Sequence, residues 1–162
     1  MKLHLNLRIL SILLLLAGIS LPQDSHFSPK AKINEDSGSK IKIENAWMIS
    51  SSEGMNSAMF FDIVNFGDEQ DILYKAEYPL AELVQIQRVV KKGRVTMIQS
   101  VKDVVVEPNS TFSFKPRDHY ILLRKVRKPL KEGDKEEVTL YFRDAGMIKV
   151  ITIVKEYEGE LK

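Results

Sequence analysis

A chain of 162 residues, 44 % apolar and 28 % charged, suits one domain with a real core plus short appendages. A formal net charge of +2 gives it neither the footprint of a nucleic-acid binder nor an acidic tail. The absence of cysteine excludes disulfides, a thiolate nucleophile, zinc sites built on Cys and a lipid-modified N-terminal Cys, so any metal falls to His, Met or oxygen ligands.

The chain opens with Lys2 and Arg8, runs apolar from Ile9 to Leu16 with only Ser11 intervening, and ends this stretch on the small residues Gly18 and Ser20. That is the layout of a secretory signal peptide, and the apolar run falls short of the roughly 20 residues a spanning helix needs. Residues 1–20 are therefore expected to be a signal peptide. The mature protein is expected to be periplasmic or otherwise exported, with no stable membrane span after cleavage. Lys2 and Arg8 leave with the signal, so the mature domain is near neutral and nothing draws it to nucleic acid. Residues 21–40 hold Pro22, Pro29 and Gly38 and read as a flexible tether, with His26 a solvated residue.

From Ile41 the period becomes two: Ile41, Ile43, Trp47 and Ile49 fall on one face, Lys42, Glu44 and Met48 on the other. A polar loop from Ser50 to Asn56 precedes a second strand, Met59 to Phe66, and Gly67-Asp68 turns the chain. Asp71 to Tyr78 is a third strand, ended by Pro79, and Leu83 to Val90 a fourth. Lys91-Lys92-Gly93 reads as a hairpin turn, with Arg94 to Val101 returning. Short strands follow at Val104–Val106 and Thr111–Phe114, then His119–Val126. After a loop from Lys128 to Asp134, Val138, Leu140 and Phe142 alternate inward against Thr139 and Tyr141. Asp144-Ala145-Gly146 turns into a last strand, Met147 to Val154, and residues 156–162 form a charged tail. Strands at this spacing with no amphipathic helix predict an all-β, Greek-key sandwich or barrel over residues 41–155.

The chemistry available is sparse. No G-x-S-x-G nucleophile motif, glycine-rich phosphate loop or distinguished carboxylate pair appears, so the chain is not expected to be an enzyme. His119 follows Pro116-Arg117-Asp118 and opens a strand, which places it at a rim. Met97 lies in the returning arm of the hairpin. Thioether plus imidazole suits copper, chiefly Cu(I), because soft sulfur matches a soft ion. By residue type alone, a methionine such as Met97 is more often a core filler, and a lone histidine at a strand start more often merely hydrogen-bonded.

Collinear blocks sharpen this reading: Ile43-Glu44-Asn45-Ala46-Trp47, Asn56-Ser57-Ala58, Asn65 through Asp71, Lys115 through His119, and Arg127 through Asp134 continuing to Ala145-Gly146. Together they resemble the PCu(A)C family of periplasmic copper chaperones from Ile41 to Val154. The resemblance implies a cupredoxin-like Greek-key β-sandwich. It also implies copper as cargo, Cu(I) in preference to Cu(II), carried toward oxidase copper-site assembly proteins. The family motif is a His, a Met about eleven residues on, then twenty-one residues and His-x-Met, and Met97 and His119 match that spacing. The last Met position is Ile121, and the first His position falls at Ile86 or Gln87, so two of four ligands are missing. Met55 offers a further sulfur, and Met48, Met59 and Met147 do so if they face the same rim. The alternative is a metal-free interaction domain that kept the scaffold, with the loops 50–56 and 127–134 as contact surfaces.

Overall fold

The computed structural model describes residues 40–157 and Gly159. The expected signal peptide, the tether up to residue 39 with His26, and most of the charged tail lie outside the described residues. Each of the ten strands expected from the alternation is present: β1 Ile41–Ile49, β2 Ser57–Asn65, β3 Asp71–Glu77, β4 Ala81–Lys92, β5 Val95–Ser100, β6 Val104–Val106, β7 Ser110–Phe114, β8 His119–Val126, β9 Lys135–Phe142 and β10 Met147–Lys155. The hairpin differs in detail. β4 runs on through Lys92, and Gly93-Arg94 forms a two-residue turn in which Gly93 takes φ 64°, a conformation glycine adopts without steric cost.

The strands form one continuous ladder in the order β5-β4-β8-β2-β1-β10-β9-β3-β6, with β7 also paired to β2. The β1–β10 pair is parallel, and the other pairs are antiparallel. The ladder closes into a sandwich: Phe61, Ile86 and Ile121 from one half share a single buried cluster with Leu73, Val106 and Leu140 from the other. Within it Phe61 stacks on Phe114 with ring centroids 4.5 Å apart. Burying one such side chain contributes about 1.5–3 kcal/mol.

β1 departs from simple alternation. Its register against β2 shifts between Glu44 and Trp47, and Asn45 takes φ 53°. This bulge inverts the phase of the strand. Ile41 and Ile43 face the core before it, Ala46 and Met48 after it. Trp47 and Ile49 turn to the opposite face, against Phe60 and Tyr120. Met48, assigned to the polar side by strict alternation, is fully buried.

Two buried polar arrangements hold the halves in register. The Asp71 carboxylate accepts from the amides of Ile72 at 2.6 Å, Asp144 at 3.0 Å and Ala145 at 2.9 Å, which pins the β9–β10 turn to β3. The Tyr78 hydroxyl donates to Glu136 at 2.8 Å, and the Lys128 ammonium lies 2.7 Å from the other oxygen of that buried carboxylate. Burial, and after it Glu136, raises the Tyr78 pKa well above the usual phenol value.

β7 and β8 follow one another along the same edge of β2, with Phe114 opposite Phe61 and Ile121 opposite Met59. Between them Lys115-Pro116-Arg117-Asp118 makes a tight turn. The Asp118 amide donates to the Lys115 carbonyl at 3.2 Å, and Arg117 takes φ 66°. Proline second and a left-handed residue third is the type II pattern. That interruption delivers His119.

Candidate metal centre

His119 is the first residue of β8 and shares the parity of Ile121 and Leu123, both in the core. Its ring therefore lies on the inner face at the strand's end. It meets Phe112 edge-on with centroids 5.1 Å apart and Phe114 at 6.1 Å, and its side chain keeps 22 % exposure. Nδ1 stands 2.9 Å from Asp118 Oδ1. A carboxylate only accepts, so Nδ1 carries the hydrogen, and Nε2 is the nitrogen whose lone pair a metal would use. A carboxylate on the far nitrogen is also how metal-binding histidines are commonly oriented.

Met97 lies on β5 opposite Val90 of β4, and the residue is 37 % exposed. β4 in turn carries Arg88 opposite both Gln99 of β5 and His119 of β8. Cross-strand partners share a face, and residues two apart on one strand share it too. His119, Arg88, Val90, Gln99 and Met97 thus occupy one face. β4 separates the strands of Met97 and His119. Two strand spacings and two residues of offset put their Cα atoms about 12 Å apart. Each side chain spans roughly 4 Å, so both donors reach one ion only by leaning toward each other over β4.

The remaining expected positions are occupied by residues that cannot serve. Ile121 has no exposure. Ile86 is a core residue, while Gln87 faces away and gives its amide to Gln85 at 3.2 Å and Ser100 at 3.1 Å. The place between Met97 and His119 belongs to Arg88 instead. Its guanidinium donates twice to Gln99 Oε1, at 3.3 and 3.1 Å. The sequence held the signal for this: counting outward from a two-residue Gly93-Arg94 turn pairs Val90 with Met97 and Arg88 with Gln99. A turn placed at Lys91-Lys92-Gly93 sets Val90 opposite Arg94 instead and hides it.

The other methionines lie elsewhere. The Met55 carbonyl accepts from the Val126 amide at the far end of β8, about 23 Å along the strand from His119. Met48 and Met59 are fully buried, and Met147 opens β10, three strands from β8 in the ladder. Among the described residues no group of three or more His, Asp or Glu is placed to hold a metal ion. The surroundings are basic, with Arg88, Lys115 and Arg117 against Asp118, whose second oxygen lies 3.8 Å from Lys115 Nζ.

Residues 41–154 match the family described as "Putative lipoprotein LpqE-like". The "Putative lipoprotein Lxx21020" of Leifsonia xyli subsp. xyli is 29 % identical over 150 residues, covering 92 % of this chain and 87 % of that protein. Among solved structures, the copper-bound PCuAC domain from PmoF2 superposes with a TM-score of 0.63 at 23 % identity, over 77 % of this chain and 100 % of that one. Apo-DR1885 from Deinococcus radiodurans gives a TM-score of 0.58 at 18 % identity, over 88 % and 98 %. Its Cu(I) form gives 0.56 at 18 % identity, over 72 % and 80 %. At these identities the likeness is one of fold: the chain has the cupredoxin-like β-sandwich of PCuAC domains, as the sequence resemblance implies.

Proposed function

The chain belongs to the LpqE-like lipoprotein family, and we propose that it is an exported copper-handling protein that carries Cu(I) between Met97 and His119. The observation that carries this reading is the state of His119. Its Nδ1 is engaged by Asp118, which leaves Nε2 as the nitrogen able to take a metal, and it shares a face with an exposed thioether. This occurs on a fold shared with a copper-bound PCuAC domain. Imidazole and thioether together favour Cu(I), which accepts two-coordinate, near-linear binding. A two-ligand site at an exposed edge holds its cargo loosely, which suits capture and release by ligand exchange with an acceptor. Proteins that assemble oxidase copper sites fit as acceptors. The family name and the N-terminal twenty residues both support export.

Arg88 favours a second reading, a metal-free interaction domain on the same scaffold. A guanidinium beside the imidazole opposes any cation placed there.

Competition of the full-length chain with a chromophoric Cu(I) chelator separates the two. One-to-one binding that His119→Ala and Met97→Leu each weaken supports the copper reading. Absence of competition, or binding indifferent to both substitutions, supports the metal-free one.

A further inference from the structure

β5 is an open edge. It ends the ladder beside β4, all six of its residues are exposed, and its pairing runs without a bulge from Gln87–Ser100 to Lys92–Val95. The opposite end of the ladder, β6, has only three residues. Short edges, charges, prolines and bulges are how proteins keep sheet edges from pairing with other chains. Val95-Thr96-Met97-Ile98-Gln99-Ser100 has none of these devices.

The phase of its hydrogen bonds follows from its neighbours. The Val89 amide turns to the Asp118 carbonyl on the β8 side, and the Val101 amide donates to the Ile86 carbonyl of β4. Inward-bonding residues alternate in an antiparallel ladder. Val95, Met97 and Gln99 therefore bond β4, while Thr96, Ile98 and Ser100 aim their N–H and C=O groups at the open edge. Val95 and Ile98 are 59 % and 52 % exposed. The ribbon is also basic around its turn: from Leu83 to Lys102 it carries Arg88, Lys91, Lys92, Arg94 and Lys102 and no acidic residue, with Glu82 and Asp103 just outside this stretch.

We propose that β5 binds an extended acidic segment of a partner protein by strand addition. Main-chain bonds to Thr96, Ile98 and Ser100 supply the affinity, and the flanking lysines and arginines select the acidic strand. A second copy would set two basic ribbons side by side, and a lipid surface leaves the open amides unmatched. The proposal needs no copper. If copper is carried, a strand added here runs directly beside Met97.

The test uses the full-length, metal-free chain and a fluorescein-labelled octapeptide alternating glutamate and valine, with a lysine-and-valine peptide as its counterpart. The acidic peptide binds, more weakly as salt rises, and the basic one does not. Binding slows hydrogen exchange at the Thr96 and Ile98 amides and leaves Met97, already bonded to β4, unchanged. Ile98→Pro removes one outward donor at an edge position and weakens binding roughly tenfold. Arg94→Glu, which leaves the strand backbone untouched, weakens it as well. Equal binding of both peptides, binding of neither, or protection elsewhere overturns the proposal. Self-association abolished by Ile98→Pro assigns the edge to a second copy and overturns it too. Sedimentation with phosphatidylglycerol vesicles that Arg94→Glu abolishes, without peptide binding, overturns it in favour of a membrane surface. Because copper is absent, none of these failures touches the metal reading.

Discussion

Arg88 stands on β4 between the two strands that carry Met97 and His119, with its guanidinium drawn toward β5 by Gln99. An ion bridging the two donors passes within about 7 Å of that charge. At this distance, with an effective dielectric of about 40–80 for an exposed site, the repulsion is roughly 0.6–1.2 kcal/mol. Arg88→Gln removes the charge and keeps an amide able to reach Gln99. Cu(I) affinity is predicted to rise about fivefold, the equivalent of about 1 kcal/mol. Arg88→Lys keeps the charge and stays near the parent. Chelator competition at low and high ionic strength measures both. The advantage of Arg88→Gln shrinks toward nothing at about 1 M salt, where the Debye length is roughly 3 Å. An Arg88→Gln protein that binds Cu(I) no tighter, or gains equally at all salt concentrations, refutes the placement of the ion beside Arg88.

Other substitutions probe the scaffold. Asp71→Ala leaves the Asp144 and Ala145 amides without their acceptor and should cost about 2–4 kcal/mol in urea unfolding. Tyr78→Phe loses the bond to buried Glu136 and should cost about 1–2 kcal/mol at neutral pH. It should also change the alkaline limb. The folded protein keeps the Tyr78 proton that the unfolded chain releases near pH 10.0, so this contribution is complete below that pH and is lost above it. Stability of Tyr78→Phe should therefore fall less steeply above pH 10.0, with Tyr120, raised by burial, still contributing. Arg117→Gly relieves a left-handed arginine and should raise stability by up to about 1 kcal/mol in thermal unfolding.

Fold class was legible in the sequence because β9 and its neighbours alternate apolar and polar side chains with clear turn residues between them. β1 was legible only as a strand. Its bulge at Asn45 inverts the inward face midway, and nothing in a period-two count marks the residue at which phase is lost. Met97 and His119 stand as candidates only through the spacing of a family motif, since a lone methionine and a lone histidine carry little signal. Arg88 was missed for a geometric reason. Its importance comes from cross-strand register, and that register follows from the hairpin turn: a turn at Lys91-Lys92-Gly93 would set Val90 opposite Arg94 rather than Met97. Asp71 was hidden differently: it serves a turn 73 residues away, a contact that local sequence does not encode.

X-ray absorption at the copper edge of the Cu(I)-loaded chain tests the central claim most directly. The account predicts one sulfur and one imidazole nitrogen as the protein ligands, with the sulfur lost in Met97→Leu and the imidazole signature lost in His119→Ala. A spectrum without sulfur, or one that both variants leave unchanged, contradicts it.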